Sequence, residues 1–180
     1  QAGHSLPSVV DACQALHPVP GRMQTWGHAG TPAVVVDYAH TPDAVAKALQ
    51  ALRPWADARG GRLYCVLGSG GDRDSSKRAP MGRSAEAHAD QVCLTSDNPR
   101  NEDPQHIVDQ MLSGFEQPLN AVQQLDRAKA IADCIAQAQA ADVVLVAGKG
   151  HETYQEVQGQ KLPFSDSDHV VLALQRWGHT

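Results

Sequence analysis

Aromatic residues are scarce, at 4% of 180 positions, while alanine is abundant. That balance suits an α/β protein in which small side chains sit between helices and a sheet. Basic excess is missing too. With a net charge of −5 the chain has no electrostatic footprint for nucleic acid or an anionic membrane. No apolar run approaches the roughly 20 residues of a membrane span, and the first residues show no signal-peptide pattern. The four cysteines, Cys13, Cys65, Cys93 and Cys134, form no C-x-x-C pair, and the nine histidines show no metal spacing. They read as buried thiols in a reducing setting, and the expectation is a cytoplasmic protein. A G-x-x-x-x-G-K-[ST] phosphate loop is also missing.

What is present is an alternation of apolar strands and helical periods. Four strands are near-continuous apolar runs: Ala33 to Tyr38, Arg62 to Leu67, Gln91 to Thr95 and Asp142 to Ala147. Such runs belong to strands covered on both faces. A fifth, weaker strand is expected over Ala121 to Leu125. Between them lie helices with readable starts: Thr41-Pro42, Asp103-Pro104, Asp126 and Ser165 each place a capping side chain before a helical period. The first helix is expected to fray near Pro54. Residues 154–157 and 161–164 flank Gln158-Gly159-Gln160 and read as a hairpin. The fold class is therefore α/β, a mostly parallel sheet with helices on both faces and an antiparallel edge near the end. Val9, Val10, Cys13 and Leu16 allow a short helix among prolines, read as a tail arriving from elsewhere.

Polar clusters follow four of the strands: Asp37 to His40, Gly68 to Asp74, Asp97 to Arg100 and Gly148 to Glu152. In this architecture the carboxyl ends of the strands form one rim, where ligands bind. Asp97 brings a carboxylate, Asn98 a donor and an acceptor, and Arg100 a flat donor fork, on a turn stiffened by Pro99. An amino acid zwitterion needs that mixture. On the residues alone, a ligand loop and a helix-capping loop are equal readings of this stretch. Arg22, alone, reads as a surface charge after a proline turn, and Asp37, His40 and Glu152 have equally plain structural readings. Lys77-Arg78 reads as a solvated helix start outside the site.

Taken together, Val35-Val36-Asp37-Tyr38-Ala39-His40-Thr41-Pro42-Asp43, Gly70-Gly71-Asp72-Arg73-Asp74 with Lys77-Arg78, Asp97-Asn98-Pro99-Arg100 and Gly148-Lys149-Gly150-His151-Glu152 resemble, in order, the motifs of the C-terminal domain of the Mur ligase family. The resemblance runs over roughly residues 18–176. It implies a Rossmann-like domain of an ATP-dependent amide ligase, in which ATP phosphorylates a carboxylate and an amine attacks the acyl phosphate. Asp97 to Arg100 resembles the motif of the branch that adds meso-2,6-diaminopimelate to UDP-N-acetylmuramoyl-L-alanyl-D-glutamate in peptidoglycan precursor synthesis.

By that resemblance Arg73, Asp97, Asn98, Pro99, Arg100, Gly148 and Glu152 bind diaminopimelate, with Arg100 and Arg73 on carboxylates and Glu152 on an ammonium. Arg22 and Asp37, with Tyr38 and His40 nearby, meet ATP. No catalytic or metal-ligating residue is assigned to the chain. Residues 1–20 are expected to be the tail of a preceding central ATPase domain that would hold the phosphate loop and the Mg²⁺ ligands, and residues 21–180 the C-terminal domain. Such a piece is expected to be monomeric and inactive alone. Two other readings stay open: a lysine-adding or folylpolyglutamate-type sister ligase, and a non-catalytic Rossmann-like small-molecule binding domain.

Overall fold

A computed structural model describes residues 19–178. The expected helix around Val9 to Leu16 lies outside the described residues. The described chain runs β1 (Gln24–Trp26), β2 (Ala33–Asp37), α1 (Pro42–Arg59), β3 (Leu63–Ser69), α2 (Arg78–His88), β4 (Gln91–Ser96), α3 (Pro104–Leu112), β5 (Ala121–Gln123), α4 (Arg127–Gln137), β6 (Val143–Ala147), β7 (Tyr154–Val157), β8 (Gln160–Pro163) and α5 (Asp166–Arg176). Six strands form one sheet in the order β1-β2-β6-β3-β4-β5. Only β1 runs antiparallel; β2 pairs with β6, β6 with β3, β3 with β4 and β4 with β5 in parallel.

Alternation along the strands divides the core in two. Val35, Cys65, Leu67, Leu94 and Leu145 pack under α1, α2 and α3, whereas Val34, Val36, Val66, Cys93, Val144 and Val146 pack under α4 and α5. Both faces being covered is why these strands carry no polar alternation. In-register parallel pairing also brings Asp37 level with Ala147, and Ser69 level with Ser96. The loops after β2, β3, β4 and β6 therefore open on a common rim.

Two local expectations are corrected. The antiparallel edge lies at the start of the sheet: β1 pairs with β2 through Thr25 and Val35. The hairpin β7–β8 instead forms a separate two-stranded sheet. It is seated by Arg100, whose N–H donates to the Glu156 carbonyl at 2.9 Å and whose carbonyl accepts from Gln158 N–H at 2.7 Å. Helix α1 does not fray at Pro54 but continues to Arg59. Pro54 is exposed, so the carbonyl it leaves without a helical partner is on the solvent side, while Ala56 beyond it is buried in the core. The Arg59 guanidinium then ties the last turn to the carbonyls of Thr31 and Ala141, each at 3.0 Å. Tertiary anchoring outweighs the local cost of one missing hydrogen bond.

Candidate functional site

A cavity of about 350 Å³ opens on the rim between the loops after β2, β3, β4 and β6. Arg73, Asp97, Asn98, Arg100, Gly148 and Glu152 all line it, as do Tyr38 and His40. Pro99 is buried behind the wall, its carbonyl accepting from Glu102 N–H at 3.0 Å. Arg22 and Asp37 stand outside the cavity.

The strongest organiser was not among the sequence-predicted site residues. Lys149 has no exposed surface. Its Nζ donates to Asn98 Oδ1 at 2.9 Å and to Glu152 Oε2 at 3.1 Å, and lies 3.8 Å from Asp97 Oδ1. Asn98 Nδ2 closes the ring by donating to the same Glu152 oxygen at 2.7 Å, and Asn98 Oδ1 also accepts from Glu156 N–H at 2.9 Å. One buried ammonium thus fixes Asp97, Asn98 and Glu152, three of the expected site residues, with the partners a buried charge requires. The backbone must turn sharply to sink that side chain. Gly148 has φ +119°, and a Cβ there would stand 2.6 Å from Asp97 Oδ2.

Arg100 adopts the left-handed region, φ 52°, held there by its two backbone bonds to the hairpin. Its Nη1 donates to the Gly71 carbonyl at 2.7 Å and its Nε lies 3.2 Å from Glu156 Oε2. The guanidinium is therefore held by the protein through both Nε and Nη1 in the wall of the cavity it lines. Arg73 is exposed on the same side, and its side chain and that of Arg100 both border Gly70. Ser69, in the same wall, has a buried hydroxyl with no hydrogen-bond partner among the described residues, a spare polar group suited to a ligand.

Arg78 overturns the reading of a solvated helix start. It has no exposed surface; its guanidinium holds both Glu102 oxygens, at 2.7 and 2.8 Å, and the Gly70 carbonyl at 3.0 Å. Glu102 also accepts from Asp72 N–H, so the pair staples the glycine loop that carries Arg73 to the loop that carries Arg100. Chiefly through the Arg78 hydrogen bonds, the Glu102 carboxyl is drawn down from its ordinary 4.5 to about 2. A carboxylate depressed in the folded state stabilises fully above its unfolded pKa and loses that contribution as pH falls through the folded one. We expect Glu102→Gln to be less stable than the parent by about 1–2 kcal/mol near neutrality, after allowing for screening. The gap should close between about pH 4.5 and about pH 2. Denaturant titrations across that range check it; a pH-independent gap would refute the assignment.

Beside the cavity lies a more open corner. The Arg22 guanidinium sits 4.9 Å from the centre of the Tyr38 ring, and His40 and His151 flank the same ring at 4.5 and 5.4 Å. Asp37 Oδ2 accepts from Met23 N–H at 2.8 Å, which leaves its other oxygen available. Arg22, Tyr38 and His40 are thus brought together, with Asp37 one residue behind. Among the described residues there is no group of three His, Cys, Asp or Glu side chains able to hold a metal ion, and no helix long and apolar enough to cross a membrane.

Comparison with known proteins gives the family. The family model described as Mur ligase, glutamate ligase domain, matches residues 21–150. The chain is 54% identical over 176 residues to the UDP-N-acetylmuramoyl-L-alanyl-D-glutamate–2,6-diaminopimelate ligase of Acidovorax sp. (strain JS42), covering 98% of this chain and 35% of that protein. It is 47% identical over 182 residues to the ligase of the same name from Synechococcus sp. (strain WH7803), covering 98% and 36%. A solved structure of a ligase of that name superposes with a TM-score of 0.80 at 43% identity, over 100% of this chain and 36% of the other. Folylpolyglutamate synthase from Thermotoga maritima, at 20% identity and a TM-score of 0.59 over 80% of this chain and 31% of its own, shares the fold alone. The chain spans about a third of the length of the curated relatives it matches. This chain belongs to the Mur ligase family, through that family's glutamate ligase domain.

Proposed function

We propose that this chain is the C-terminal, amino-acid-binding domain of an ATP-dependent ligase that joins meso-2,6-diaminopimelate to UDP-N-acetylmuramoyl-L-alanyl-D-glutamate through an acyl phosphate. The observation that carries the reading is the charge pattern of one cavity: Arg73 and Arg100 on its lip, Asp97 and Glu152 at its floor. Diaminopimelate carries two ammonium and two carboxylate groups, and differs from lysine by one carboxylate. A pre-oriented guanidinium is what discriminates that group, because its fork matches a carboxylate. The names of the relatives support the same substrate.

ATP fits the corner beside the cavity. Arg22 offers an exposed cation to a phosphate and Asp37 a half-used carboxylate to a ribose hydroxyl. When bound, ATP supplies the phosphoryl group that activates the acceptor carboxylate. The phosphate loop and the Mg²⁺ ligands belong, in this reading, to a central domain preceding residue 21, with residues 1–20 as its tail. The chain's own share is to hold the incoming amino acid and close it onto the activated carboxyl, as a monomeric cytoplasmic enzyme.

Calorimetric titration of meso-diaminopimelate and of L-lysine tests this. The chain is expected to prefer diaminopimelate, and Arg100→Ala to remove the preference at a cost of about 1.5–3 kcal/mol, roughly 10- to 100-fold in affinity. Equal binding of both ligands, or indifference to the substitution, would overturn Arg100 as the selector. ATP turnover by this chain alone would overturn the division of labour between domains.

A further inference from the structure

We propose that Cys93 and Cys134 form an oxidisable dithiol, converted to a disulfide by a small hydroperoxide. Neither residue belongs to the rim site. Cys93 lies on β4 and Cys134 on α4, which packs directly over that strand. Cys93 is 3% exposed and belongs to the core beneath α4 and α5, and Cys134 packs against that same core. Cys134 is half-buried, and both residues line a narrow pocket of about 80 Å³ opening between Tyr64, Val122, Gln124 and Gln137. About 10–15 Å³ of such space holds a water, so the pocket admits hydrogen peroxide, which is little larger.

The surroundings divide the roles. The neighbouring Cys134 thiol, with the Arg127 charge nearby, draws the Cys93 thiol below its ordinary value against burial and the Asp133 carboxylate. The Cys134 thiol is pushed up by its Cys93 neighbour and by burial. Cys93 is thus the nucleophile and Cys134 the resolving thiol. The Cys93 thiolate sulfur attacks one oxygen of the hydroperoxide. The O–O bond breaks, the other oxygen leaves with a proton as alcohol or water, and Cys93 becomes a sulfenic acid. The Cys134 sulfur then attacks that sulfur. The S–O bond breaks and the S–S bond forms, while the sulfenic hydroxyl departs with the Cys134 proton as water. Two thiols lose two electrons, and the hydroperoxide gains them.

Cys65 is the internal control. It lies on the opposite face of the sheet, fully buried, and burial pushes its thiol up to about 12. The test is to treat the full chain with hydrogen peroxide, block remaining thiols, digest, and map each cysteine by mass spectrometry. The expected product is a Cys93–Cys134 crosslinked peptide, two hydrogens lighter than the reduced pair and reversed by dithiothreitol. It should form at least about ten-fold faster than any modification of Cys65. In Cys134→Ser the crosslink should vanish and dimedone should trap a sulfenic acid on Cys93. The wild-type map needs no variant to fold. Cys93 and Cys134 still reduced once Cys65 reacts, or either one joined to another cysteine instead, overturns the proposal.

Discussion

Replacing Arg127 by methionine is expected to cost the fold about 3–5 kcal/mol, visible as a lower denaturation midpoint at unchanged slope. Arg127 and Asp166 are an ion pair with no exposed surface on either side chain. The guanidinium meets the carboxylate through two parallel bonds, Nε to Oδ1 at 2.7 Å and Nη2 to Oδ2 at 2.8 Å. Methionine keeps most of the volume but leaves the Asp166 carboxylate charged, buried and alone. The loss does not measure what the pair contributes over an apolar pair, because desolvating both ions offsets much of their attraction. The double variant Arg127→Met/Asp166→Leu is accordingly expected to recover most of the lost stability. A single variant within about 1 kcal/mol of the parent, or a double variant no better than the single, would sink this account.

The pair also reaches the ligand rim. Arg127 Nη2 donates to the Ala147 carbonyl at 3.0 Å, and Nη1 approaches the Ser96 carbonyl at 3.4 Å. Those carbonyls end β6 and β4, immediately before Gly148 and Asp97. One guanidinium, anchored by the first turn of α5, thereby sets the exit of the two loops whose residues make the cavity floor.

Much of this architecture was legible in the residues. The runs of β2, β3 and β6 have no polar alternation because both faces are covered, and the caps at Thr41, Asp103, Asp126 and Ser165 each accept a backbone N–H of the first helical turn. The rim followed from the strand ends alone. Gln24-Thr25-Trp26 was missed because three mixed residues carry no periodicity; their strand exists only by pairing with β2. Arg78, Arg127 and Lys149 were missed for one shared reason. A charged residue read in isolation defaults to solvent, and the acids that make burial tolerable lie 24, 39 and, for Asp97, 52 positions away. One local signal did exist for Lys149: it follows an unbroken apolar strand, sits between two glycines and has an acid three positions on. Arg100 was found, but not its partner Glu156, which only the docked hairpin brings near.

Lys149→Met should separate the floor of the cavity from its lip. Its stability cost is expected to be about 2–3 kcal/mol, the range for a lost charged hydrogen-bond set. That is smaller than for Arg127→Met, because Glu152 and Asp97 keep 23% and 10% of their side-chain surface open to water. The consequence for binding differs in kind from Arg100→Ala. Asn98 and Glu152 are fixed by Lys149 at the end of the cavity that, in the proposed function, meets an α-ammonium common to diaminopimelate and lysine. Both ligands should therefore weaken together, by roughly 10-fold or more for each charged contact set loosened, with their ratio preserved. Arg100→Ala should instead collapse the ratio. Calorimetry with the two amino acids on the two variants gives four numbers. A Lys149→Met variant that binds as the parent does would show the floor to be held by Asn98 and the hairpin without the ammonium. One that selectively loses diaminopimelate would place the extra carboxylate at the floor and reverse the orientation argued here.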